Sequence, residues 1–140
     1  MLEVEVFGSL DDLRSVAPDA PPPAEVERLC VLAAASAGVK DGHLAIEYVD
    51  ERRIAQLNAE HRGKAGPTDV LSFPIDGAAE YDGVERELGD VVICPGHTSD
   101  LREAIVHGVL HLVGLDHETD NGEMLALQAQ LLKRPHPPGR

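Results

Sequence analysis

Aromatic side chains are nearly missing from this 140-residue chain: Phe, Tyr and Trp together make up 3%, and tryptophan is absent. A platform that grips single-stranded nucleic acid by stacking on its bases is therefore poorly provided for, which leaves phosphates or overall shape as handles on such a ligand. Positive charge is scarce too. Lys and Arg number 12 against 25 Asp and Glu, a formal net charge of −13. Bulk attraction to nucleic acid is excluded, and a polyanionic substrate must meet a local basic patch. Cysteine occurs twice, as Cys30 and Cys94, with no Cys-x-x-Cys spacing, which points to reduced thiols and gives neither the spacing of a zinc ligand. No apolar run reaches the roughly 20 residues of a membrane span. No charged-then-apolar leader opens the chain, because Met1 to Phe7 alternates acidic and apolar residues like a half-buried strand. The expectation is a soluble, cytoplasmic protein without a membrane partner.

What is present fits one domain over residues 1–133 and a proline-rich tail over 134–140. After the first strand and the Pro21-Pro22-Pro23 run, Val26, Leu29, Cys30, Ala33 and Ala37 recur at helical spacing up to Gly38. Leu44 to Val49 reads as a strand, and Asp50 as the N-cap of a helix that carries Ile54 and Leu57 and runs out near Gly63. Val70 to Phe73 is a short strand stopped by Pro74, Asp76 to Glu87 a connecting loop, and Leu88 to Ile93 another strand broken by Pro95-Gly96. Asp100 with Glu103, and Asp120 with Glu123, mark the starts of two final helices. The order β-α-β-α-β-β-α-α predicts an α+β fold, a small mixed sheet packed with helices, rather than a doubly wound nucleotide-binding fold.

The chemistry concentrates between Val106 and Glu118. His107 and His111 lie four apart, so a helix stacks their imidazoles on one face at metal-binding distance. Gly114 can adopt the left-handed conformation that ends a helix, turning the chain so that His117 approaches the same ion. Three imidazoles without a fourth protein ligand leave a position for water, the pattern of a catalytic rather than a structural zinc site. Zinc so held brings the pKa of water to about 7; nickel or copper also suits imidazole. A closed structural site would need Asp116, Glu118 or His97 as a fourth ligand.

The spacing is that of the metzincin proteases, H-E-x-x-H-x-x-G-x-x-H, a zincin-type metal helix, but Gly108 stands where their general-base Glu belongs, which weakens a peptidase reading. Asp116 and Glu118 are candidates to act in its place, but each reads first as orienting a ligand imidazole from behind or as solvated.

Four blocks carry a family resemblance: His107-Gly-Val-Leu-His111 through Asp116-His117, Pro67 to Pro74, Leu88-Gly-Asp90 leading to Cys94, and Leu57-Asn58 followed by His61-Arg62-Gly-Lys64. From about residue 44 to the last helix, the chain resembles the YbeY rRNA maturation factors, zinc-dependent endoribonucleases. The resemblance implies one zinc ion per chain on His107, His111 and His117, a cytoplasmic setting, and processing of the 3′ end of 16S ribosomal RNA on the small ribosomal subunit with its proteins, with no role for DNA. It makes His111 and Arg62 catalytic. A guanidinium can pair with two phosphate oxygens. Taken alone, Arg62 reads equally as a solvated charge beside a helix C-terminus. Arg52, Arg53, Arg62 and Lys64 supply the local basic patch, with Arg62 and Lys64 contacting substrate. The chain departs from the family in the short Pro95 to Val106 segment, where the family carries a longer insertion, and in Leu115, where an aromatic is common. Two other readings stand beside the nuclease: a metallohydrolase of peptides or small phosphoesters, and a non-catalytic assembly factor stabilised by zinc.

Overall fold

The computed structural model describes residues 2–8, 20–76, 86–115 and 122–133. Strand β1 (Leu2–Phe7) leads to helix α1 (Pro23–Ser36), strand β2 (Gly42–Tyr48), helix α2 (Glu51–Arg62), strands β3 (Val70–Pro74) and β4 (Glu87–Ile93), a 3₁₀ turn (Pro95–His97), and helices α3 (Leu101–Leu112) and α4 (Glu123–Leu132). The sheet order is β1-β2-β4-β3, with β1, β2 and β4 parallel and β3 antiparallel to β4. This is the small mixed sheet packed with helices that the element order predicts.

Local chemistry places most boundaries where the sequence puts them. The Asp50 carboxylate accepts from the Arg53 amide, and Asp100 accepts from the amides of Arg102 and Glu103, so both act as N-caps. Gly63, at φ +66°, closes α2 in the left-handed conformation. The expected Asp120 cap differs: α4 begins at Glu123, which puts Gly122 at the N-cap without a side-chain bond, and Asp120 lies outside the described residues. The expected loop between β3 and β4 is tied at its ends, since the Asp76 amide donates to the Glu87 carbonyl and the Glu87 amide to the Asp76 carboxylate. Residues 77–85 between them and the proline-rich tail at 134–140 are also outside the described residues.

Two apolar clusters lie on opposite faces of the sheet. The larger joins α1, α3 and α4 to the strands through Leu29, Leu44, Ile46, Ile105, Leu110 and Met124. The smaller joins Ile54 and Leu57 of α2 to Leu71, Val92 and Cys94. A register shift opposite His43 and Leu44 leaves Leu88 as an extra residue in β4. The bulge turns Leu88 onto the same face as Val91 and Ile93, inside the larger cluster. Gly89 follows at φ +139°, where a Cβ would fall on the Phe73 carbonyl and on Leu112. Both cysteines are buried and free, and burial pushes both thiols up, away from nucleophilic use. Among the described residues no helix is long and apolar enough to cross a membrane.

Two charged clamps fix helix and strand positions. The buried Glu25 of α1 accepts from Arg28 Nε and Nη2 at 3.0 and 2.6 Å, and Arg102 Nη2 at the start of α3 comes to 3.4 Å. A buried carboxylate is tolerable when so paired, and this one links the first turns of α1 and α3. On β2, His43 lies between carboxylates of both neighbouring strands: Nδ1 bonds Glu87, and Nε2 is 3.0 Å from Glu5. Glu87 first, and then Glu5, raises the imidazole pKa against the opposing effect of burial. Because the folded value is raised, the clamp's stabilisation is fully present below the unfolded histidine pKa of about 6.5 and is lost as pH rises through the folded value. Urea denaturation between about pH 6 and pH 9 should therefore show wild-type stability declining across that window and a flatter profile for His43→Gln; equal declines would refute the clamp.

Candidate active-site cleft

Helix α3 carries Glu103, His107 and His111 at successive turns on one side. All three line a cleft of about 1090 Å³, together with His61 and Arg62 from the end of α2, Asp69 to Pro74 along β3, Thr98 to Asp100, and Leu125 and Gln128 of α4. The helix reaches this position by lying tightly on the sheet. A Cβ on Gly108 would collide with Val91 and press on Val70, so the glycine is the contact point. The Gly108 carbonyl also accepts from Ser72 Oγ at 2.9 Å, pinning α3 to β3. Residue 108 therefore faces the sheet, and in this helix orientation a side chain at the metzincin glutamate position would be driven into the core.

The two histidines meet with Nε2 atoms 3.2 Å apart and ring planes at 76°. His107 Nδ1 lies 2.7 Å from Gln128 Oε1. With that oxygen as acceptor, Nδ1 carries the ring proton and Nε2 presents its lone pair toward His111. Two imidazole nitrogens on a tetrahedral zinc, each bonded at 2.0–2.1 Å, are about 3.3 Å apart. The pair thus fits a shared metal ion, with the second nitrogen of one ring held from behind as metal-binding histidines require. Among the described residues no group of three His, Cys, Asp or Glu is arranged to hold a metal. His117, Asp116 and Glu118 lie outside the described residues. The helix ends as expected: Gly114 has φ +102°, and the Leu115 amide folds back to the Leu110 carbonyl.

Of the basic residues singled out by sequence, Arg62 lines the cleft. Lys64 is exposed just beyond α2 and is not among the cleft-lining residues. Arg52 and Arg53 sit in the first turn of α2, on the order of 14 Å along the axis from Arg62 at 1.5 Å per residue, so the four do not form one patch. Asp69, Asp100 and Glu103 line the cleft beside Arg62 and make it mixed in charge. His97 pairs with Glu51 at 3.4 Å, outside the cleft lining.

Gln128 is the site residue that the sequence reading missed. Its signal was present: with Met124 and Leu131 it occupies the buried face of α4, and a buried amide needs a partner. Gly108→Ala tests the close packing that positions the site. Overpacking against the β-branched Val91 should cost about 1–3 kcal/mol in denaturant unfolding; wild-type stability would show that α3 is not held by this contact.

Comparison with known proteins follows the same lines. A family profile described as endoribonuclease YbeY matches residues 23–136, which extends the likeness back through α1. An endoribonuclease YbeY of Nocardioides is 43% identical, over 64% of this chain and 72% of that protein. One from Bacillus licheniformis is 37% identical, over 79% and 84%. One from Bifidobacterium adolescentis is 42% identical, and there the chain spans 59% of the relative's length. Among solved structures, the solution structure of TM1509 from Thermotoga maritima superposes with a TM-score of 0.53 at 22% identity, covering 100% of this chain and 99% of that one, a likeness of fold. Matched over most of its length by the family profile and by relatives above one-third identity, the chain belongs to the endoribonuclease YbeY family.

Proposed function

We propose that this protein is a zinc-dependent endoribonuclease that cleaves single-stranded RNA, with the 3′ region of 16S ribosomal RNA on the small ribosomal subunit as substrate and the cytoplasm as its location. Membership of the family supports the reaction class. The observation that carries the metal chemistry is the convergence of His107 and His111, Nε2 to Nε2 at 3.2 Å, in a cleft that Arg62 also lines.

His107, His111 and His117 would hold one zinc ion, a metzincin-like three-histidine site. When bound, the ion supplies Lewis acidity, polarising a phosphoryl oxygen and acidifying water. Arg62 pairs with phosphate oxygens and stabilises the charge that develops on them as the diester breaks. Lys64, past the end of the same helix, adds a point charge toward the flanking backbone. Gln128 keeps the proton of His107 on Nδ1, and Asp116 is the proposed counterpart for another ligand. The attacking oxygen is identified by the product: a 2′-hydroxyl leaves a cyclic phosphate, whereas water leaves a linear one. With a net charge of −13, the chain draws part of its affinity for the particle from proteins of the small subunit. Peptide hydrolysis is disfavoured because residue 108 faces Val91 and Val70 and has no side chain to serve as a base.

Elemental analysis after chelator-free purification should find near-stoichiometric zinc in the wild type. His111→Ala should lose metal and RNA cleavage together. Arg62→Ala should keep its zinc while kcat/KM falls by roughly 10²–10³-fold. A wild type without metal would overturn the metal site, and an unimpaired Arg62→Ala would overturn the role of the guanidinium. Gln128→Leu should weaken zinc binding by about 10–100-fold in competition with a chelator; unchanged affinity would make the amide a packing residue alone.

A further inference from the structure

The scarcity of aromatics conceals where one of them lies. Phe73 of β3 lines the cleft, and His61, in the last turn of α2, meets it edge to face with ring centroids 4.6 Å apart and planes at 72°. Phe73 is half-buried and packs against the cluster of Ile54, Leu57, Leu71, Val92 and Cys94, so its ring is anchored. His61 is exposed. In an edge-to-face pair the exposed ring keeps at least one face uncovered by its partner, whichever ring presents its edge. Arg62, which follows directly, lines the same cleft as His107 and His111.

We infer that His61, braced by Phe73, is the platform on which an unpaired nucleobase of the substrate stacks, beside the phosphate that Arg62 receives. The inference rests on the nuclease reading and names the residues by which that cleft selects its substrate. A base inside a duplex has both faces covered by its neighbours, whereas an unpaired base can stack on a protein ring. Stacking on a ring accepts any base, so the platform selects unpaired nucleotides without reading their sequence. The cleft's mixed charge suits this division of labour. With Asp69, Asp100 and Glu103 along the lining, phosphate contacts inside the cleft other than that of Arg62 are opposed, and the base supplies the compensating grip.

The test uses the intact protein and a short single-stranded 2′-O-methyl RNA carrying one 2-aminopurine, whose fluorescence is quenched by stacking. Wild type and His61→Phe should quench the probe and bind it alike. His61→Ala, checked for an unchanged melting temperature and zinc content, should lose the quench and about tenfold in affinity. Replacing the 2-aminopurine with an abasic residue should weaken wild type by the same factor and leave His61→Ala unchanged. Equal quenching and affinity in wild type and His61→Ala would overturn the platform. So would a loss in His61→Phe as large as that in His61→Ala. Cleavage of unmodified RNA by wild type, measured in parallel, tests the nuclease reading separately, because the quench reports stacking whether or not the strand is cut.

Discussion

Helix α3 lies as close to the sheet as it does because position 108 has no side chain. Any Cβ there would meet the β-branched Val91, which is buried in β4 and has no room to yield. From that one contact the rest of the site follows. The helix is brought down onto β3 and β4, its carbonyl at Gly108 is taken by Ser72, and His107 and His111 are turned along the edge of the sheet into the cleft. The same contact separates this helix from the proteases whose histidine spacing it shares, since their catalytic glutamate would occupy the position that here serves packing.

Polar groups buried around α3 supply what apolar packing cannot, namely direction. Glu25 between Arg28 and Arg102 joins the beginnings of α1 and α3, and Gln128 reaches from α4 to the back of His107. A hydrophobic contact tolerates small rotations of a side chain, while a hydrogen bond to one ring nitrogen fixes both the tautomer and the plane of the imidazole. The clamp on His43 works differently. It holds β1 and β4 to β2 through charge, so its contribution follows pH as that of the apolar core does not.

An acidic protein that handles RNA must confine its attraction to a small region. The structure confines it narrowly: Arg62 is in the cleft, Arg52 and Arg53 are at the far end of the same helix, and three carboxylates share the lining. On the proposed nuclease reading, such a site would discriminate more by geometry than by electrostatic strength, because long-range attraction is weak and each phosphate must be held by position. Family membership and cleft geometry meet at this point, since Arg62 lines the same cleft as His107 and His111, the arrangement on which the proposed phosphodiester chemistry rests.

Much of the fold was legible in the sequence. Hydrophobic spacing in α1, α2 and α4, the Asp50 and Asp100 caps, and the left-handed glycines at 63 and 114 are local signals, and each marks its element close to the observed boundary. The spacing of His107 and His111 likewise determined that they share a helix face. Local signals could not give the strand order, the bulge at Leu88, the direction in which Gly108 points or the separation of the arginines, since these depend on which elements pack together. Gln128 was recognisable as a polar residue on an apolar face, but its partner is 21 residues away in sequence and is identified only by the packing of α4 on α3. The sequence by itself determined the chemical groups and their placement along each element, because helix and strand periodicity are properties of the local chain. Tertiary structure decided which groups face one another, because that depends on close packing between segments distant in sequence.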